Sequence, residues 1–182
     1  MKVQFPKPYA DFVARLRVPC GFVLVAAFAW FSRPDARSLA YGLPVSLLGL
    51  ALRAWAAGHL TKNQKLSASG PYRYTRNPLY LGTLLVAAGL ALATRSVGLG
   101  ALFAAVFVCI YLPVIQLEQQ HLRSLFPEYA EYAARVPALL PRMSPAGERR
   151  AFQGALYMKN REYQAAAGFL GGALFLLWKA LR

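Results

Sequence analysis

Two short stretches of this sequence concentrate the groups that could do chemistry. One is Gly70-Pro71-Tyr72-Arg73-Tyr74-Thr75-Arg76-Asn77-Pro78-Leu79-Tyr80-Leu81-Gly82. The other is Glu118-Gln119-Gln120-His121-Leu122-Arg123-Ser124-Leu125-Phe126. Glu118 and His121 lie one helical turn apart, so both could take a proton from the same place. Glu118 reads as the one acidic residue at the bilayer edge of the later apolar runs. A carboxylate there is costly and is a functional candidate by default. Its plainer role is an ion pair with Arg76 or Arg123. Arg53 sits inside an apolar run and is expected to point into a helical bundle, toward a site, because a lipid-facing guanidinium is expensive. Tyr72 and Tyr80 could offer ring faces to a cation, or serve only as interfacial aromatics.

Most soluble chemistry is missing. There is no glycine loop ahead of Lys-Ser/Thr, no His-Glu-x-x-His and no Cys-x-x-Cys. Gly98-Leu99-Gly100 lacks the preceding strand and third glycine of a dinucleotide fingerprint. Cys20 and Cys109 fall within apolar runs and read as small buried hydrophobes, so no metal site is expected. His59, at the end of an apolar run, reads as a satisfied interfacial histidine.

These groups must be positioned by an unusually apolar chain. Of 182 residues, 57% are hydrophobic and only 15% charged, with a mean hydropathy of +0.35. Soluble domains carry roughly 25% charged residues, so a soluble enzyme is disfavoured and disorder more so. Apolar runs at Val18–Phe31, Leu39–Ala57, Leu79–Ala93, Val97–Leu117 and Gln164–Trp178 predict an all-α, multi-span integral membrane bundle of about five transmembrane helices. The basic start followed by an apolar run is read as an uncleaved first anchor.

The net charge is +14, and its placement decides its meaning. Lys2, Lys7, Arg15, Arg17, Lys62, Lys65, Arg73, Arg76, Arg123, Arg135, Arg142, Arg149, Arg150, Lys159 and Arg161 fall on one side of the expected bundle. Arg33, Arg37, Arg95, Lys179 and Arg182 fall on the other. This roughly threefold bias is the positive-inside pattern, placing the first group in the cytoplasm. The charge therefore reads as topology, and a nucleic-acid partner is not expected.

No linker splits the chain, so residues 1–182 are expected to form one domain. Two polar elaborations form a cytoplasmic cap, His59–Pro78 and Glu118–Arg150. Glu118–Phe126 should continue the fourth span as helix, Pro127 interrupts it, and Glu128–Ala134 adds a turn or two. Pro137, Pro141 and Pro145 exclude a long helix after that. From about Gly147 an interfacial helix, with Phe152, Ala155, Leu156 and Tyr163 on its apolar stripe, leads into the last span. There Gly168 and Gly172 make a small-xxx-small pair that permits close helix contact, or are simply two of the many glycines of an apolar helix.

The ordered motifs resemble the isoprenylcysteine carboxyl methyltransferase and phospholipid methyltransferase superfamily. Its pattern is Gly-Pro-Tyr, Arg-His-Pro-x-Tyr-x-Gly, then Glu-Glu-x-x-Leu-x-x-x-Phe, Tyr-x-x-Tyr and Arg-Val-Pro. Gly70-Pro71-Tyr72, Arg76-Asn77-Pro78-Leu79-Tyr80-Leu81-Gly82, Glu118 through Phe126, Tyr129, Tyr132 and Arg135-Val136-Pro137 answer it in order. The match runs from about residue 50 to residue 141. It departs at Asn77, where the family has His, at Gln119, where it has Glu, and at Val114, where isoprenylcysteine enzymes carry Arg.

The resemblance implies a membrane enzyme using S-adenosyl-L-methionine. Carried over position by position, Gln64, Lys65, Leu66, Ser67, Tyr72, Arg76, Asn77, Tyr80 and Glu118 would hold that cofactor. Glu118, His121 and Arg53 are the catalytic candidates. The expected acceptor is a hydrophobic or amphipathic molecule taken from the bilayer, and Val114 disfavours an anionic headgroup. An NADPH-dependent membrane reductase and a non-catalytic binder of lipid or partner are the competing functions.

Overall fold

The computed structural model describes residues 5–143 and 149–182, and these residues form helices and connecting loops. Lys2, Pro145, Gly147 and the side chain of Arg17 lie outside the described residues. The helices are α1 (Lys7–Phe31), α2 (Ala36–Ala57), α3 (Pro78–Thr94), α4 (Val97–Leu125), α5 (Tyr129–Arg135), α6 (Gly154–Lys159) and α7 (Tyr163–Ala180). A single 3₁₀ turn, Gly70–Arg73, interrupts the long loop between α2 and α3.

Local chemistry sets the boundaries. Asp35 caps α2 reciprocally: Ser38 N–H donates to its Oδ1 at 2.7 Å and its own N–H donates to Ser38 Oγ at 3.0 Å, satisfying two otherwise orphaned donors. Ser96 Oγ accepts from Leu99 N–H at 3.2 Å at the start of α4. Pro78 opens α3 where a missing N–H costs nothing, and Arg95, at φ 54°, ends it.

The long helices alternate in direction. Arg33 N–H donates to Thr94 O at 2.9 Å, and Lys179 Nζ donates to Ala29 O at 2.9 Å. These contacts gather residues 32–35, 94–96 and 179–182 at one end. At the other end Phe5 N–H donates to Gln116 Oε1 at 2.8 Å, and Asn160 Nδ2 donates to Ala57 O at 2.9 Å. The loops expected to share a side therefore share an end.

The closest helix pair is α2 against α3. A Cβ on Gly42 would stand 2.4 Å from Gly89 O, and one on Gly49 2.6 Å from Gly82 O. Glycines seven residues apart on both helices thus let the backbones touch, the way membrane helices pack without a hydrophobic driving force between them. Ser38 Oγ and Ser46 Oγ add bonds to Ala93 O at 2.9 Å and Val86 O at 3.0 Å. Gly168 and Gly172 take the plainer of their two readings: nothing lies within 4 Å of a Cβ on Gly168, and only a Phe28 ring carbon, at 4.0 Å, meets one on Gly172.

In α4 a π turn, Phe107–Tyr111, precedes Pro113. Pro113 has no N–H to give Cys109 O four residues back. Tyr9 O–H donates to that carbonyl at 2.8 Å and so pins α1 to α4. In α1 itself, Pro19 accompanies a 52° bend between Lys7–Leu16 and Val18–Phe31, as a proline kink does.

By length and composition α2 and α4 can cross a membrane, and the bent α1 would make a third. Among the described residues the expected count of about five is thus not reached by that measure, with α3 only 17 residues long. The helix expected from Gly147 is short and begins at Gly154. Phe152 precedes it and lies over Gly58, where a Cβ would meet its ring at 2.1 Å.

Candidate active site

The loop end of the bundle holds a cavity of about 510 Å³. Its walls come from the end of α2, the 60–67 loop, the 3₁₀ turn, the start of α3, the last turns of α4 and α5. Short-range breakers bring these elements together. Gly70, at φ 56°, turns the loop where a Cβ would strike the His59 ring at 2.4 Å, and only glycine takes that geometry without penalty. Tyr132 O–H donates to Tyr72 O at 2.8 Å, tying α5 to the turn. Arg76 N–H donates to Pro137 O and Arg142 N–H to Tyr74 O, both at 2.9 Å.

Arg53, Lys65, Leu66, Ser67, Tyr72, Arg76, Asn77, Tyr80, Glu118 and His121 all line this cavity. Gln64 does not; it is exposed on the outside of the loop. Glu118 accepts from Tyr80 O–H at 2.9 Å. Among the described residues no ion pair joins Glu118 to Arg76 or Arg123. Arg76 Nη1 instead donates to Tyr129 O–H oxygen at 3.3 Å and Gln119 Oε1 at 3.4 Å. Gln119, at the family's Glu position, thus holds a guanidinium. Arg76 Nε is buried without a partner. His121 Nε2 meets Asn63 Oδ1 at 3.3 Å at the exposed rim. Asn77, at the family's His position, uses its Nδ2 on Ala138 O at 2.7 Å.

Burial pushes the phenols of Tyr72, Tyr129 and Tyr132 up, Tyr72 with further help from the Glu118 charge. They stay neutral at physiological pH and act as hydrogen-bonding and ring surfaces. His59 lies behind the loop wall, not in the cavity. Its Nδ1 meets Ser69 Oγ at 3.0 Å, and burial lowers its pKa.

Glu162 corrects the view of Glu118 as the lone carboxylate at the edge. It stands at the start of α7 and binds Arg53 bidentately, Nε to Oε1 at 2.5 Å and Nη2 to Oε2 at 3.1 Å. Arg53 also donates to Thr83 Oγ1. The partner is 109 residues away, so no local pattern shows it. The available signal was arithmetic: an intramembrane arginine needs an anion, and the chain has only 7 acidic residues. Thr83, Tyr111 and Asn63 also line the cavity unforeseen. Among the described residues no three His, Cys, Asp or Glu come together as a metal site.

An apolar helical bundle with a polar, arginine-bearing cavity at one end, built around the Arg-x-Pro and Glu-bearing helices, is the frame of the isoprenylcysteine carboxyl methyltransferase-like membrane methyltransferase superfamily. Within it, the chain belongs to the phospholipid methyltransferase family, whose pattern matches residues 44–129. It is 40% identical over 135 residues to the cobalt-zinc-cadmium resistance protein CzcN of Cupriavidus metallidurans, spanning 70% of this chain and 62% of that one. It is 34% identical over 151 residues to the nickel-cobalt-cadmium resistance protein NccN of Alcaligenes xylosoxydans xylosoxydans, spanning 76% and 71%. The chain thus spans less than two thirds of the length of CzcN. No solved structure matches it.

Proposed function

We propose that this protein transfers a methyl group from S-adenosylmethionine to a hydrophobic or amphipathic acceptor that comes from the bilayer. The observation that carries the reading is the meeting, in one cavity, of Leu66, Tyr72, Arg76, Tyr80 and Glu118 from three separate stretches of chain. The volume lies within the roughly 300–1,000 Å³ of small-molecule sites. The donor set fits the cofactor. Arg76, with its unpartnered Nε, suits a carboxylate. Glu118 and the tyrosine faces suit cationic groups. Leu66, Leu122 and Phe126 supply apolar wall for an aromatic base.

When bound, the sulfonium supplies an activated methyl with its own leaving group. The residues therefore need mainly to orient and to exclude water. Tyr80 fixes the Glu118 carboxylate by its hydrogen bond. Arg53, clamped by Glu162 and Thr83, is a positioning charge and cannot exchange protons. Glu118 and His121 are the nearest groups to receive a proton released by the acceptor. The loop end, which carries most of the basic residues, faces the cytoplasm in this reading.

Asn77 and its bond to Ala138 O support a second reading, a non-catalytic relative that binds lipid or partner. In the methyltransferase reading, a role in metal resistance, as the relatives' names have it, would pass through modification of a membrane component. The test is turnover in nanodiscs with a membrane lipid extract and S-adenosylmethionine, reading the demethylated cofactor. Product formation supports the enzyme. Cofactor binding without product on any acceptor favours the second reading, and turnover only of water-soluble amines or thiols overturns the membrane acceptor.

A further inference from the structure

A second polar cavity, of about 250 Å³, lies behind the 60–67 loop. It has Thr61, Lys65, Leu66 and Ser67 in common with the first and no other lining residue, so this loop is the wall between them. The other wall is the segment 150–153 with Leu156 of α6. Two contacts hold that segment against the end of α2. Gln153 N–H donates to Gly58 O at 3.1 Å. The Phe152 ring covers Gly58 and meets the His59 ring edge-on, centroids 6.4 Å apart. The shared loop is braced as well: Thr61 Oγ1 donates to Lys65 O and Thr61 N–H to Ser67 Oγ, both at 3.1 Å. A hydroxyl that accepts can still donate, so Ser67 keeps a proton to offer. The family pattern ends at residue 129, so the 150–156 wall lies outside it.

We infer that this cavity binds a singly charged phosphate ester, the chemistry shared by a phospholipid headgroup and a free phosphodiester, and that its occupancy is felt in the first cavity through the shared loop. Among the described residues its lining carries two cations, Lys65 and Arg150, against one carboxylate, Glu128. That leaves one net positive charge, the complement of a phosphodiester. The forked guanidinium of Arg150 matches phosphate oxygens, and Lys65 adds a point charge. Burial keeps His59 neutral near pH 7. The volume falls below the roughly 300–1,000 Å³ of whole small-molecule sites, which suits a headgroup rather than a second cofactor. Lys65 belongs to both walls, so its charge acts on both cavities. An anion beside it offsets a positive charge next to S-adenosylmethionine, which is itself cationic, and so favours that cofactor; by linkage the effect is reciprocal. This coupling rests on the methyltransferase reading, whereas the anion site does not.

The test uses the full chain in detergent with Trp30→Phe and Trp178→Phe. Trp55 is then the sole tryptophan, edge-on to the His59 ring with centroids 6.5 Å apart. Glycerophosphoglycerol and monomeric dihexanoyl phosphatidylglycerol are titrated in turn at constant ionic strength in chloride, without cofactor. At least one should change Trp55 emission saturably. A response to the soluble diester identifies the phosphodiester alone as sufficient, and a response to the lipid alone identifies the headgroup as the source. Lys65→Gln and Arg150→Gln, both at exposed positions, should each weaken binding roughly tenfold or more, the worth of one hydrogen bond to a charged group. Arg149→Gln makes the same charge change one residue away, outside the lining, and should change nothing. No saturable response to either probe, a response that both lining variants leave intact, or one that Arg149→Gln weakens as much would overturn the site. Saturating probe should also tighten the binding of S-adenosylmethionine; unchanged or weaker affinity overturns the coupling and leaves the site standing. Saturable probe binding in a protein that takes up no S-adenosylmethionine keeps the site and sinks the methyltransferase reading.

Discussion

Glu118 is held by Tyr80 rather than by a cation, so its charge is available to the cavity. Glu118→Gln keeps the shape and removes that charge. Affinity for S-adenosylmethionine should fall roughly tenfold to a hundredfold by calorimetry, the worth of a hydrogen bond to a charged group; unchanged affinity would remove Glu118 from the cofactor site. The Arg53–Glu162 pair behaves differently because both side chains are largely buried. Glu162→Ala leaves a buried guanidinium unpaired and should cost about 3–5 kcal/mol in thermal unfolding, whereas Arg53→Met with Glu162→Met should recover most of it. His59 adds a pH dependence. Burial lowers its folded pKa below the ordinary 6.5, so the unfolded chain takes the proton first. Stability is full above about 6.5, is lost as pH falls from there toward the lower folded value, and levels off below it. His59→Asn should flatten that slope in unfolding midpoints measured across the window. At this scale the sequence showed which residue types gather but not their partners. Arg53 was legible as buried and Glu162 was not, because the pair is closed by the last helix arriving from outside the motif region.

Among the elements, α2 and α3 are joined by backbone contact, and that contact aims Arg53 and Tyr80 at the same cavity. Gly89→Leu must push a side chain into Ser46 Oγ, 2.3 Å from the first added atom. It should destabilise by at least the roughly 1–3 kcal/mol of an overpacked core, while Gly168→Leu should leave the unfolding midpoint unchanged. Tyr9→Phe strips the donor from the carbonyl that Pro113 leaves free. About 1 kcal/mol should be lost, read as earlier proteolysis of α1 in detergent. Helix positions were legible from the apolar runs, whereas the caps at Asp35 and Ser96 emerged only with the structure. The small-residue pair noticed on α7 took its plainer reading, and the contact face lies on α2 and α3 instead. Pairs of small residues occur on α2, α3 and α7 alike, and only tertiary pairing decides which of them meets a backbone and which faces open space.

For the whole molecule, the alternating helices put the 58–77 loop and residues 126–143 and 149–162 at one end and residues 179–182 at the other. With Cys20 and Cys109 replaced by alanine, Gln64→Cys and Leu181→Cys should label from opposite faces of the membrane, Gln64→Cys from the cytoplasm. Labelling from the same face would contradict the topology. The gathering of the two motif stretches was legible because both begin or end at a span boundary. The place of Tyr111 in the cavity wall was not, since it lies in a π turn that no residue pattern announces. The central claim is the identity of the bound cofactor, and equilibrium binding to the detergent-purified protein tests it most directly. Radiolabelled S-adenosylmethionine should bind saturably and be displaced by its demethylated product, with NADPH failing to compete. Saturable NADPH binding with no uptake of S-adenosylmethionine would contradict the account.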